Sequence, residues 1–310
     1  YAGRTHSIIG IDSCDLGLKL DGRDINKEVM DIVKKFMTKY QIEPYNEVTH
    51  KGLVRHVLIR IGAKTKQIMV CIIINGRKLP NKDELVEKLC KLEGMHSVSL
   101  NVNTNKSNVI LGSKIINLYG PGYIEDYIGD VKFRISPLSF FQVNPVQTEK
   151  LYNKALSFVS NSDTIVDLYS GTGTITMLLA KKARKVIGIE VVKEAVEDAK
   201  NNMLLNHIDN IEFICDKVEN KIDTLKETNI DTLIMDPPRG GSDKKTLKSL
   251  LEIEPKKIIY ISCNPITLAR DINVLREKYD IKDVSAFDMF PNTYHVECVC
   301  ILKRKQTLEI

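Results

Sequence analysis

Acidic residues, a cysteine and two closely spaced glycines stand at the ends of apolar runs in this sequence, and that placement gives them chemical meaning. In "KKIIYISCNPITLARDI" the β-favouring residues Ile258 to Ile261 end in Ser262, Cys263, Asn264 and Pro265. Proline forbids continuation of the strand, and the helix-like pattern that follows predicts that these side chains sit at the carboxyl edge of a sheet. In open α/β sheets ligands bind at that edge. Cys263 is therefore a candidate reactive thiol, against the ordinary fate of an unpaired cysteine as a small buried hydrophobe. In "YHVECVCIL", Glu297 opens an otherwise apolar strand, where a carboxylate has little structural reason to be. Desolvation there raises a carboxyl pKa and makes a better base near neutrality. The competing reading is a charge that protects a sheet edge.

A second constellation lies upstream. "TIVDLYSGTGTITMLLA" reads as a strand, Asp167, the glycines Gly171 and Gly173, and a helix. Glycines at such a turn let the backbone approach a ligand closely. The third glycine of a dinucleotide fingerprint is lacking, so a pyrophosphate is poorly accounted for. About twenty residues on, "VIGIE" ends in Glu190, placed to accept from both hydroxyls of a ribose. Asp216 follows "IEFIC" and is placed to accept from an adenine amino group, and the next apolar run ends in Asp236, Pro237, Pro238 and Arg239. Each acid alone reads equally well as a helix cap or a solvated turn. Together, at successive strand ends, they describe a pocket for an adenosyl ligand.

The elements that must position these residues are legible in outline. From residue 136 onward, helices alternate with the apolar runs "TIVDLYS", "KVIGIEVV", "IEFIC", "DTLIMDPP", "KIIYISCNP" and "ECVCILKRK". This predicts an α/β fold with a doubly wound, mostly parallel sheet, whose near-continuous apolar strands are covered on both faces. Residues 1–135 read differently, as a smaller α+β domain of helices and antiparallel strands. The helical spacing of Val29, Ile32, Val33 and Phe36 predicts a helix over 26–40, and a second helix opens at Asn81 as its cap. "LVRHVLIRIG", "KQIMVCIIIN", "HSVSLNVN" and "NVILG" read as strands.

Composition sets bounds on this reading. At 310 residues, 43% hydrophobic and 27% charged, the chain suits a two-domain globular protein, without an apolar run long enough to span a membrane. It begins at Tyr1 rather than Met, which suggests a chain cut from something longer. Seven scattered cysteines do not form a disulfide framework and suit a reducing, cytoplasmic setting. The formal charge of +5 is uneven: residues 1–135 hold 21 Lys plus Arg against 15 Asp plus Glu, the remainder 24 against 25. A positive excess in the first domain is compatible with an anionic polymer as partner.

Six motifs, in order, carry a resemblance: "SFFQVN" (Ser139 to Asn144), "DLYSGTGT" (Asp167 to Thr174), "IGIE" ending at Glu190, "DPPR" (Asp236 to Arg239), "SCNP" (Ser262 to Pro265) and "HVE" (His295 to Glu297). The chain resembles the bacterial S-adenosylmethionine-dependent RNA uracil-5-methyltransferases, which make 5-methyluridine in 23S rRNA and tRNA, and most of all the 23S rRNA branch. The likeness covers the catalytic half strongly and the preceding domain, from "YAGRTHSIIGIDSC", more weakly. It implies a class I, Rossmann-like methyltransferase domain over 136–310. It also implies that Gln142, Tyr169, Thr174, Glu190 and Asp236 contact the cofactor, that Cys263 is the nucleophile and Glu297 the general base, and that Phe140 lies beside the target base. Ser170, Thr172 and Thr174 depart from the residues common in relatives, which touches the detailed hydrogen bonding of Thr174. In the rRNA branch four cysteines often hold a 4Fe–4S cluster. Cys14 matches the last of them and the other three would precede Tyr1, so the expectation is no metal in this chain and a cluster only in a longer one.

The implied chemistry is covalent. Thiolate attack at carbon 6 of uracil makes carbon 5 nucleophilic, and after methylation a base removes the carbon 5 hydrogen so that the cysteine can leave. The target base must be unstacked for this, with Arg55, Arg60 and Arg134 as candidate phosphate contacts. The expected partner is RNA, 23S rRNA ahead of tRNA, bound by a monomer with no membrane. Methylation of a nitrogen is a rival that needs no cysteine, and its turn commonly starts with Asn or ends in an aromatic residue, unlike "DPPR". A non-catalytic RNA-binding or RNA-folding protein on a methyltransferase shell is a second rival, against which the presence of both Cys263 and Glu297 argues.

Overall fold

The computed structural model describes residues 19–161 and 163–306; Cys14 lies outside them. The chain divides into two compact units, residues 19–126 with Arg134–Leu138, and Tyr127–Phe133 with 139–306. The division falls inside a hairpin.

In the first unit, β1 (Lys19–Leu20) and β2 (Arg23–Asp24) lead into α1 (Ile25–Lys39). Asp24 caps this helix by accepting from the Lys27 amide, and Ile25, Val29, Val33 and Phe36 form its buried stripe. β3 (Val54–Ile61), β4 (Ile68–Ile74), α2 (Lys82–Cys90), β5 (Met95–Val102) and β6 (Lys114–Tyr119) follow. The sheet order is β3-β4-β5-β6. Alternate β4 residues Ile68, Val70, Ile72 and Ile74 share one apolar cluster with the stripe of α1 and with Leu85 and Leu89 of α2. Each such fully buried side chain contributes about 1.5–3 kcal/mol.

Three expectations for this unit need correction. Its strands are not all antiparallel: β4 and β5 pair parallel, because α2 crosses over between them and returns the chain in the same direction. "NVILG" is not a strand. Val109 and Ile110 are exposed and their carbonyls accept from the Asn103 side chain, while the strand begins later at Lys114. Asn81 precedes α2 as expected but adopts a left-handed backbone and makes no side-chain cap.

The hairpin of β7 (Ile124–Ile128) and β8 (Val131–Ile135) precedes the second series. This runs α3 (Pro145–Leu156), β9 (Thr164–Leu168), α4 (Thr174–Ala180), β10 (Lys185–Glu190), α5 (Lys193–Leu205), β11 (Ile211–Cys215), α6 (Val218–Lys221), β12 (Thr232–Met235), α7 (Lys244–Ile253), β13 (Lys257–Ser262), α8 (Pro265–Leu275), β14 (Tyr279–Phe287) and β15 (Glu297–Arg304). Its seven strands lie in the order β11-β10-β9-β12-β13-β15-β14. β11 through β13 are parallel neighbours, so the fold is α/β with a mostly parallel central sheet. The order reverses between β9 and β12, which opens a crevice at their carboxyl ends.

One strand went unread in the sequence. In β14 the charged run "YDIKDVSAF" is largely exposed, as suits the edge of the sheet, and lacks the continuous apolar character of the others. β15 runs antiparallel between β13 and β14. Its first residue, Glu297, therefore lies at the same edge as the last residues of the parallel strands.

Candidate active site at the carboxyl edge of the sheet

β9 brings Asp167 into the interior, where Thr176 donates to its carboxylate at 2.5 Å. Burial, and then the Glu190 charge, push this carboxyl up to about 7. The chain leaves β9 through a turn in which Tyr169, Gly171 and Gly173 all have positive φ. At Gly173 a side chain would press on Phe213, Ala199 and Met177 at 3.0–3.1 Å, so both φ and space require glycine. Glu190, ending β10, clasps this turn: one carboxylate oxygen accepts from the Gly171 amide at 2.9 Å, the other from Val192 at 2.8 Å. Asp216, just past β11, donates its amide to the Glu190 carbonyl. The Asn220 side chain and the Lys217 amide hydrogen-bond its carboxylate and hold its pKa down.

Gln142 hydrogen-bonds the buried Tyr152 hydroxyl, which also lies 3.2 Å from the Thr174 hydroxyl. Tyr169 turns its own hydroxyl to Ser242 at 3.4 Å. Phe140 is 72% exposed, and its carbonyl accepts from Thr172 at 3.2 Å. Asn144 caps α3 and donates to the Met289 carbonyl at 3.3 Å, tying the "SFFQVN" segment to the loop before β15.

The reactive pair comes from register. Ser262, the last residue of β13, pairs with Cys298 of β15, so Cys263 and Glu297 follow at the same edge of adjacent strands, and the Glu297 charge acts on the thiol. Burial pushes the Cys263 thiol up, the carboxylates of Glu297 and Asp236 add to this, and Arg239 works against them. Glu297, only 6% exposed, is raised by burial and likewise opposed by Arg239. Asp236, at the end of β12, is pushed up to about 8 by burial and then by the charges of Glu297 and Asp167.

The sequence reading missed how the loop carrying Asp236 and Arg239 is held. The Arg239 carbonyl accepts from Asn264 at 3.2 Å and Thr267 at 3.3 Å, and its guanidinium donates to His295 at 2.6 Å. Arg270 donates to the carbonyls of Gly240 and Ser242. Fully buried Asp271 accepts from the Ser242 amide at 2.8 Å and the Tyr260 hydroxyl at 2.6 Å. A signal existed: Asp271 is a carboxylate within the apolar stripe of Leu268, Ile272 and Leu275. Tyr152 gave none, since an aromatic in a helical stripe reads as core. The three candidate phosphate arginines each have an interaction or burial within the fold. Arg55 donates to three backbone carbonyls, Arg134 pairs with Glu125, and Arg60 is half-buried, which lowers its pKa.

These groups fit an adenosyl sulfonium. Among the described residues the Ser170 hydroxyl is buried without a partner and Gly171 faces open space, and Asp167 and Asp236 put raised carboxyls beside the turn, where a cation relieves the cost of ionising them. The profile of the tRNA (uracil-5-)-methyltransferase family matches residues 32–305. The chain belongs to this family. Among relatives of the family's RNA methyltransferase kind, an uncharacterized RNA methyltransferase of Caldanaerobacter subterraneus subsp. tengcongensis is 44% identical over 98% of this chain and 68% of its own length. One from Clostridium tetani is 45% identical over 97% of this chain and 66% of its own. The chain thus spans about two thirds of these relatives. The crystal structure of Pyrococcus abyssi tRNA (uracil-54, C5)-methyltransferase with S-adenosyl-L-homocysteine superposes with a TM-score of 0.83 at 32% identity, covering 96% of this chain and 70% of that one. A Methanocaldococcus jannaschii tRNA m1G37 methyltransferase, at 14% identity and a TM-score of 0.53, shares the fold. S-adenosylmethionine is the cofactor of this methyltransferase family.

Proposed function

We propose that the chain methylates carbon 5 of a uridine in RNA. The observation that carries this reading is the convergence of Cys263 and Glu297 at the ends of the adjacent strands β13 and β15, with Arg239 acting on both. Bound S-adenosylmethionine supplies an electrophilic methyl group. Gln142, Tyr169, Gly171, Thr174, Glu190, Asp216 and Asp236 are the residues that hold it, and Phe140 offers an exposed ring against the target base.

Cys263 starts the reaction as a thiolate. The charges of Glu297 and Asp236 oppose thiolate formation, and the Arg239 cation favours it. The sulfur forms a bond to carbon 6, and the electron pair of the 5,6 double bond moves toward carbon 5 and the carbonyl at carbon 4. After methylation, Glu297 accepts the proton of carbon 5. The electron pair left behind restores the double bond as the sulfur–carbon bond breaks, and Cys263 leaves as a thiolate. A carboxyl raised by burial is suited to that proton transfer.

As the RNA, 23S rRNA is favoured by the Cys14 match and the "YAGRTHSIIG" opening; a tRNA reading is favoured by the Pyrococcus abyssi neighbour. The test uses 23S rRNA and tRNA transcripts tritiated at uracil carbon 5. Intact protein releases tritium from one of them, Cys263→Ala releases none, and Glu297→Gln accumulates an RNA adduct that survives denaturation. Equal release by intact protein and Cys263→Ala would defeat the mechanism.

A further inference from the structure

A cleft of about 330 Å³ opens in the first unit between two loops, lined by Tyr45, Glu47, His50, Arg55 and residues 106–108. Both loops are built to stay in place. In the first, the Asn46 side chain accepts from the amides of Val48 and Thr49, both at 2.9 Å, and Asn46 and Lys51 form a bridge. The second is pinned by Arg55, which donates to the carbonyls of Asn103, Asn105 and Ser107 at 3.0, 2.7 and 3.3 Å. The same guanidinium lies 4.3 Å from the centre of the Tyr45 ring, whose hydroxyl is fixed 2.8 Å from His50 Nδ1. Tyr45 and His50 are thus immobilised before anything binds, and stacking against either costs little further ordering.

The remaining groups define the ligand. Lys106 is exposed and its ammonium has no ion-pair partner among the described residues, while Ser107, Asn108 and Glu47 supply donors and acceptors. Val48, Val109 and Ile110, at 90%, 62% and 52% exposure, leave apolar tips on the two loops. Fixed rings, a free cation, the Ser107 and Asn108 side chains and the Glu47 carboxylate as an acceptor for base amino groups, in a space of nucleotide size, suit an unpaired base with its phosphate. We propose that this cleft binds one unpaired nucleotide of the RNA substrate other than the target uridine, with the base against Tyr45 and His50 and the phosphate at Lys106. The inference rests on the reading of the chain as an RNA uridine methyltransferase.

The probe is a fluorescein-labelled 12-nucleotide RNA of alternating adenosine and 5-iodouridine, titrated into the whole chain. Tyr45→Ala weakens binding about tenfold or more, the loss expected for one base stack. Lys106→Ala lowers the slope of log affinity against log salt by about 0.7, one phosphate contact on a single strand. Asn108→Ala weakens binding from an exposed position, which covers the case in which Tyr45→Ala fails to fold. Ultraviolet crosslinking of the intact protein then labels a peptide containing Tyr45 or His50. Unchanged affinity and salt slope in all three variants, or crosslinks confined to residues 139–306, overturn the proposal and leave the uridine reading standing. Crosslinks at Tyr45 or His50 in a chain that releases no tritium from uracil support the cleft and remove the uridine reading.

Discussion

Among single residues, Asp236 carries a sharp electrostatic conflict, because its carboxyl lies where the charges of Glu297 and Asp167 converge on it. Its carboxyl is raised to about 8, with burial first among the causes. The folded chain therefore holds a proton that the unfolded chain releases near pH 4, and this makes the folded state lose stability as pH climbs from about 4 to about 8. Asn has the same shape and no charge to bury. Asp236→Asn should accordingly unfold at a higher temperature than the parent at pH 8.5 and show little advantage at pH 4.5. Solvent at the open side of this half-buried group keeps the expected gain to about 1 kcal/mol, roughly 2–4 °C. Thermal unfolding at the two pH values checks it, and an equal shift at both would mean that the charge is not the cause. Cys263 follows the same logic, since neutralising Asp236 removes one of the charges that raise the thiol.

Elements decide where these residues meet, and α8 does more than follow β13. Through Asp271 and Arg270 it grips the loop from Arg239 to Ser242, and a side chain at Gly241 would collide with both of them, at 2.5 Å from Arg270 and 2.6 Å from Asp271. Asp271→Asn keeps the shape of this grip but weakens its charge-assisted bonds. The expected outcome is a fall of about tenfold or more in single-turnover methyl transfer with the cofactor dissociation constant nearly unchanged, since a small displacement of reacting groups costs rate rather than affinity. Equal losses in both would mark Asp271 as simply structural. How much of this was legible follows from the same elements. Strands with unbroken apolar runs, such as β9, β12 and β13, announce themselves, and the acids at their ends could be read as a pocket without coordinates. The direction of β15 could not, because a parallel and an antiparallel strand buried on both faces have the same composition; yet that direction is what brings Glu297 to the edge where Cys263 lies. β14 was hidden by its exposed face, and "NVILG" misled because apolar loop tips look like strand.

At the scale of the whole molecule, chemistry and positive charge are divided between the two units. The cluster around α1 and β4 shares no residue with the one around β9, β12, β13 and β15. Every residue assigned to the cofactor falls in the second unit, whereas the Lys and Arg excess falls in residues 1–135. Ligand linkage should follow that division. S-adenosylhomocysteine at about 100 times its dissociation constant adds about 2.7 kcal/mol to whatever opening exposes its site. Hydrogen exchange should therefore slow at the turn from Tyr169 to Gly173, at Glu190 and along β9 and β10, and stay unchanged in β4. β4 is the informative control, because all seven of its residues are buried and its exchange requires opening of its own core. Equal protection of β4 would mean that one cooperative transition embraces both clusters, and the assignment of cofactor stabilisation to the second unit alone would have to be abandoned. Protection confined to β9, β10 and their turns, absent from Glu190→Gln at the same ligand concentration, would tie the effect to the carboxylate that clasps Gly171.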